Sequence, residues 1–268
     1  MDRAAGMVSE VSEASDAWGA LREELARWRA VGRVATFWWR DDDAVERTPA
    51  LERLLGLARR FEVPLALAVV PASAQQDLFE PLGDGICVLQ HGVDHVNRSL
   101  AGAKRSEFPV DEPVEAALER IGAAATRLAR LAGARWGAAF APPWNRLPGE
   151  LALRLPEAGL RGLSTFGARR QAHPAPGLAQ VNTHVDLVAW RGERGFVGAQ
   201  AALAGAVQHL AARRSGAADP EEPTGWLTHH LRHDPAAWDF LARLFDATRH
   251  DPVVRWVDAR ALFAPQQA

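Results

Sequence analysis

Cysteine is almost absent from this 268-residue sequence. Cys87 is the only one, so no intrachain disulfide can form and a thiolate-rich zinc site is excluded. Any metal here must be held by histidine and carboxylate. Excess charge is missing too: 31 Lys and Arg against 33 Asp and Glu leave a formal charge of -2, which gives no reason to expect nucleic acid or an anionic membrane as partner. No apolar run approaches the length that crosses a bilayer, so no membrane span is expected. The first residues, with Asp2, Glu10, Glu13 and Asp16, lack a basic stretch followed by an apolar core; no secretory signal is read there, and a cytoplasmic location is the expectation. No internal repeat is visible. What remains, 48% hydrophobic and 24% charged residues, is the composition of a soluble globular protein long enough for a substantial core.

Residues 1–16 are small and polar and are expected as a flexible N-terminal segment before a single domain over residues 17–268. Trp18, Leu21, Leu25 and Trp28 fall at helical spacing and give an amphipathic helix over 17–29. Strands are expected over 34–39, 63–70, 86–90, 136–140, 225–230 and 253–257, with extended chain over 162–166 and 181–190. Helices are expected over 114–131, 150–155, 199–213 and 235–248, and one from Leu51 through Leu57. Such alternation argues for a parallel α/β arrangement. Aspartates, a histidine pair, a Pro-Pro-Trp-Asn-Arg segment and a second histidine pair each follow an expected strand. In a barrel of parallel strands those ends share one rim, where active sites are assembled from several strands.

The segment over residues 34–39 reads as a strand covered on both faces, and it runs into Asp41, Asp42 and Asp43. Three adjacent carboxylates are costly to desolvate and call for a cation. Arg40 supplies one positive charge, a divalent metal two; alternatively Asp42 or Asp43 caps the helix that begins near Thr48. His91 and His95 are four apart, a spacing that places two imidazoles on one face of a helical turn. His229 and His233 share that spacing, so the stronger signal is context: the first pair follows an apolar strand, with Gly92 free to turn tightly. With an aspartate from the first strand they complete a His, His, Asp set suited to zinc or a similar divalent ion with open positions. Such an ion activates water and polarises a carbonyl. A neighbouring aspartate then serves as base and a histidine from another strand end as acid; His229 qualifies, whereas His230 points to the opposite face if the strand continues. His184 and Asp186 alternate onto one face of a strand and either line the cleft or make structural hydrogen bonds. Cys87 reads as a small buried hydrophobe, Trp144 as a wall of the site, Trp38, Trp136 and Trp226 as core, and His173, His209 and His250 as surface or helix residues.

In order along the chain, Arg40-Asp41-Asp42-Asp43, His91-Gly92-Val93-Asp94-His95, Phe140-Ala141-Pro142-Pro143-Trp144-Asn145-Arg146 and Leu227-Thr228-His229 resemble the motifs of the polysaccharide deacetylase family with the NodB homology fold, carbohydrate esterase family 4. The resemblance spans nearly the whole chain, residues 34–257. It implies a distorted (β/α) barrel of about seven parallel strands and a metal-dependent hydrolase, with zinc as the expected ion, that removes acetyl groups from an N- or O-acetylated sugar or polysaccharide precursor. It also implies Asp42 as general base, Asp43, His91 and His95 as metal ligands and His229 as general acid. Arg40, Trp144, Asn145 and Arg146 then bind substrate or orient the base. The motifs depart from the family at three places. Asp41-Asp42 is the rival register for the aspartate pair, Gly92 replaces the usual Ser or Thr, and Ala141 stands where an arginine is expected, leaving Arg146 or Arg40 to orient the base. Hydrolysis of non-sugar C-N bonds on the same fold, and a non-catalytic carbohydrate-binding domain, are the other readings.

Overall fold

The computed structural model describes the backbone of residues 2–192 and 194–264 and the side chains from residue 16 onward within those ranges. Its elements follow in the order α1 (Asp2–Ala30), β1 (Ala35–Ala44), α2 (Pro49–Phe61), β2 (Leu65–Val69), β3 (Ile86–His91), α3 (Val114–Ala132), β4 (Trp136–Ala141), α4 (Gly149–Leu153), β5 (Gly162–Leu163), β6 (Ala179–Gln180), β7 (Val185–Asp186), α5 (Ala199–Ser215), β8 (Thr224–Thr228), α6 (Pro235–Thr248), β9 (Val254–Trp256) and α7 (Ala259–Leu262). Residues 2–16, expected as a separate loose segment, have helical backbone continuous with α1. None of the described helices is long and apolar enough to cross a membrane.

All strand pairings are parallel, in the order β6-β5-β4-β3-β2-β1-β8-β7, with β9 added beside β1. The two ends of that order lie on one segment. Residues 179–183 bond to the β5 side through Val181 N–H to Leu163 O and Thr183 N–H to Thr165 O, and then His184 N–H and Leu187 N–H donate to Gly225 O and Leu227 O on the β8 side. One extended segment therefore closes the sheet, and β6 and β7 together act as a single stave of a distorted (β/α) barrel, the fold class the motifs imply.

Strand β1 shows why the barrel forms here. Phe37 and Trp39 belong to the apolar layer shared with α1, α2, α5 and α6, whereas Trp38 packs inside the barrel among Ala66, Ala68, Leu89, Ala139 and Val181, with Phe263 from beyond α7 at its edge. Period-two alternation on a strand covered on both faces gives that division. The interior is narrow, so its lining is mostly alanine around one tryptophan. Gly225 is the limiting case: a Cβ there would lie 2.3 Å from Trp38 Nε1 and 2.6 Å from Asn182 O. Trp38 Nε1 donates to Asn182 O at 2.9 Å, joining β1 to the closing segment across the barrel. Cys87, buried in the same layer, has its thiol pushed up to about 12, mainly by burial, which keeps it protonated and inert.

Candidate active site

Alternation along β1 also sorts the charged residues. Arg40 follows Trp38 on the interior side and is fully buried. Asp41 turns toward β8, where it accepts hydrogen bonds from Thr228 Oγ1 (2.6 Å) and His230 N–H (3.0 Å) and pairs with His230 Nδ1 at 2.5 Å. Burial opposes ionisation of both groups, yet the opposite charge and the hydrogen bonds together outweigh it: Asp41 stays below, and His230 above, its ordinary value. Asp42 returns to the interior. Its carboxylate lies on the Arg40 guanidinium, with Arg40 Nη2 donating to Oδ2 at 3.0 Å and Nε 2.9 Å from Oδ1.

Simple alternation would send Asp43 outward, but the ladder slips here. Asp41 pairs with Leu67 and Ala44 with Val69, so β1 holds one more residue than β2 over this interval. The bulge places Asp43 at φ 71°, left-handed backbone that a non-glycine residue rarely adopts. Re-aiming a side chain is what a bulge does, and Asp43 consequently faces the cavity beside Asp42. Neither aspartate caps α2; Thr48 does, accepting from Leu51 N–H at 3.1 Å.

Asp43 Oδ1 lies 3.2 Å from His91 Nε2 and 3.3 Å from His95 Nε2. The two imidazoles do not share a helical turn, as their spacing suggests. His91 ends β3, and His95 sits in an irregular loop at φ 59°. His91 Nδ1 lies 2.9 Å from Ala141 O; a carbonyl only accepts, so Nδ1 carries hydrogen and, in the neutral ring, the Nε2 lone pair faces Asp43. Burial depresses His91, but the Asp42 and Asp43 carboxylates outweigh it and hold the imidazole above its ordinary value. His95 is held below, by burial and by His91. For Asp43, burial is overcome by His91, His229 and His95, which keep its carboxyl low. The donor set fits a cation: one atom from each residue lies within 4.8 Å of the other two, and ligands at about 2.1 Å from a tetrahedral ion stand roughly 3.4 Å apart.

The loop carrying His95 is anchored by Glu107, which the sequence does not mark. Glu107 Oε1 accepts from Val93 N–H at 2.9 Å and Asp94 N–H at 3.0 Å. Gly92, at φ 63°, is required here, since a Cβ would meet Glu107 Oε2 at 2.0 Å and Pro143 Cγ at 2.6 Å. The volume a Ser or Thr would need is already filled. Burial pushes Glu107 up to about 7, against the pull of the two amides. A carboxyl raised in the folded state contributes stability at low pH that is lost as pH rises from its unfolded value through 7. Glu107→Gln keeps an acceptor oxygen and removes the titration. In urea unfolding with chelator present, the variant should gain about 2.5 kcal/mol on wild type between pH 5 and pH 8. Parallel pH profiles would contradict this.

Beyond β4, Pro142-Pro143 leads into Trp144 and Asn145, both at positive φ (55° and 54°). That tight turn brings Asn145 Oδ1 to 3.0 Å from Arg40 Nη2, while Arg40 Nη1 donates to Ser164 O (3.0 Å) and Ser164 Oγ (2.6 Å). Trp144 packs on His95 with ring centroids 4.5 Å apart. Arg146 does not reach the base; its Nη1 donates to Arg105 O at 2.7 Å. The guanidinium beside Asp42 is therefore that of Arg40, from β1, where Ala141 leaves none on β4.

β8 ends at Thr228 rather than at residue 230, and His230 starts a single 3-10 turn. His229 thus projects into the cavity while His230 drops to Asp41. His229 Nδ1 lies 3.8 Å from Asp186 Oδ1, and Trp190 covers the ring edge-on, donating from Nε1 to Asp186 Oδ2 at 2.7 Å. Asp186 is raised by burial, with His229 the largest opposing influence. His184 does not share its cleft. It accepts from Gly225 N–H at 3.0 Å and stacks on His209, centroids 3.4 Å apart; His209, read as a surface or helix residue, lies in α5 with its side chain buried against Thr224.

Asp42, Asp43, His91, His95, Trp144 and His229 all line one cavity of about 760 Å³ at the carboxyl ends of the strands. No family model matches the chain, and no curated protein matches it in sequence. Solved structures do match in shape. A Mycobacterium smegmatis protein assigned as a polysaccharide deacetylase superposes with TM-score 0.55 at 14% identity, over 88% of this chain and 94% of that one. Peptidoglycan deacetylase PdaC from Bacillus subtilis gives 0.51 at 15% identity, over 85% and 90%. The peptidoglycan N-acetylglucosamine deacetylase Bc1960 gives 0.50 at 14% identity, over 87% and 89%. The chain has the distorted (β/α) barrel fold of these deacetylases.

Proposed function

We propose that this protein is a metal-dependent hydrolase that removes acetyl groups from an N- or O-acetylated sugar. One observation carries the reading: Asp43, His91 and His95 converge within bonding reach of one cation, beside an Arg40-clamped Asp42 and in the same cavity as His229. Asp43 Oδ1, His91 Nε2 and His95 Nε2 would hold a divalent ion, with zinc suiting the two imidazoles and one carboxylate. Such an ion supplies Lewis acidity toward an acyl oxygen and toward water.

The remaining chemistry belongs to side chains. Asp42 is the general base, taking a proton from the water that attacks the acyl carbon, and its side chain lines the cavity that holds the three metal-binding side chains. Arg40 fixes the carboxylate in place. His229, protonated, donates to the departing nitrogen or oxygen as its bond to the acyl carbon breaks, giving acetate and the free amine or alcohol. Asp186 stands behind His229 to orient it.

Two features favour a carbohydrate over a small enclosed amide. Trp190 and Phe166, 45% and 48% exposed, present aromatic faces at the cavity mouth, and sugar rings stack on such faces. A degenerate, non-catalytic domain is disfavoured because Arg40 supplies the guanidinium that Ala141 lacks.

The test is acetate release from N-acetylated chitooligosaccharides and O-acetylated xylooligosaccharides, before and after chelation. The expected result is release that stops on chelation and returns with added zinc. Turnover of non-sugar amides alone would discard the substrate. Glycan binding without metal or turnover would discard the chemistry.

A further inference from the structure

Four arginines line the same cavity: Arg105, Arg146, Arg194 and Arg232. They come from loops following β3, β4, β7 and β8, so they approach the mouth from four separate strand ends. Several arginines elsewhere are paired with carboxylates, as in Arg98 with Asp94, Arg154 with Glu157, Arg169 with Asp219 and Arg214 with Glu24. At the mouth they are not. Among the described residues the side chains of Arg105, Arg194 and Arg232 have no hydrogen bond or ion pair, and Arg146 bonds only the Arg105 carbonyl. The carboxylates lining the cavity are already engaged: Asp42 by Arg40, Asp43 by the two imidazoles, and Asp186 by Trp190 and Val188 N–H. In a chain of net charge -2 this concentration of positive charge is local, and it focuses an attractive field for anions on the cavity mouth.

We infer that the substrate bears a phosphate or diphosphate group, held by this arginine rim while the acetyl group lies at Asp42 and His229. The inference rests on the hydrolase reading for the acetyl end only. Guanidinium forks match phosphate oxygens bidentately, and a multiply charged group, unlike a single carboxylate, offsets several mutually repelling cations. The cavity of about 760 Å³ is in the range for a small ligand, which suits a phosphorylated or diphosphate-linked acetylated sugar.

Binding to metal-depleted full-length protein separates this inference from the hydrolase reading, because neither turnover nor a bound cation contributes. Calorimetry with N-acetylglucosamine 1-phosphate, inorganic pyrophosphate, N-acetylmuramic acid and neutral N-acetylglucosamine is the experiment. Both phosphate compounds are expected to bind at least about tenfold more tightly than the neutral sugar and the carboxylated one, and to weaken as salt rises from 50 to 200 mM. Arg194→Gln with Arg232→Gln should weaken them by about tenfold or more at an unchanged unfolding midpoint, since both side chains are exposed and unpaired. Phosphate binding equal to that of the neutral sugar, tighter binding of N-acetylmuramic acid, or affinity unmoved in the double variant would each overturn the inference. Phosphate binding by the rim together with no acetate release under any condition would leave it standing and reject the hydrolase.

Discussion

Asp42→Asn is expected to lower kcat for acetyl hydrolysis by roughly 10²–10⁴-fold, the usual contribution of a positioned general base, while leaving metal content unchanged. Asparagine keeps the shape and one acceptor oxygen, so Arg40 retains a partner at its open end as well as Ser164 and Asn145. What it removes is the capacity to take a proton. Asp43 cannot substitute, because its Oδ1 is directed between His91 and His95. Nor can Asp41, which is committed to Thr228 and His230 on the other side of β1. A variant with kcat within tenfold of wild type would show that the proton goes elsewhere.

The second large effect falls on Arg40. Arg40→Met removes a fully buried guanidinium and leaves the Asp42 carboxylate, Ser164 and Asn145 Oδ1 without their donor. Breaking one side of a buried pair costs about 3–5 kcal/mol, which for a domain of this length lowers the unfolding midpoint by roughly 10 °C. Activity should fall by about a hundredfold or more as well, because a misplaced base loses its attack geometry. Arg40→Lys separates the contributions: it restores charge but not the fork that spans Asp42, Ser164 and Asn145, so stability should return further than kcat. A midpoint within 2 °C of wild type for Arg40→Met would contradict the assignment.

The parallel α/β arrangement was legible because most staves leave a local mark, and the barrel followed from the resemblance of the motifs. Phe37, Trp38 and Trp39 announce a strand covered on both faces, and the polar clusters after successive strands point to one rim. Residues 162–166 and 181–190 were legible only as extended chain; a two-residue β5 and a stave split into β6 and β7 carry no period from which closure can be read. At the site, residue types were legible and directions were not. The four-residue spacing of His91 and His95 suggests a helical turn, yet the chain between them is bent by Gly92 and pinned by Glu107. Asp43 reaches the imidazoles only through a bulge, which depends on pairing with β2 and not on β1 alone. Glu107, Ser164 and the rim residues Arg105, Arg194 and Arg232 are set by tertiary approach, and nothing near them in sequence signals it. For Arg40 against Arg146 the deciding fact was alternation: Arg40 shares its side of β1 with Asp42, whereas Arg146 lies past a turn that faces it toward Arg105.

Metal content of the purified protein, measured by elemental analysis after dialysis against zinc, bears most directly on the site. Wild type should retain about one equivalent, the stoichiometry of a single His, His, Asp site, and Asp43→Ala and His91→Ala should each retain less than about a tenth of that at unchanged helical content. A full equivalent kept by both variants would mean that the three side chains do not hold the ion, and the catalytic account built on them would fall with it.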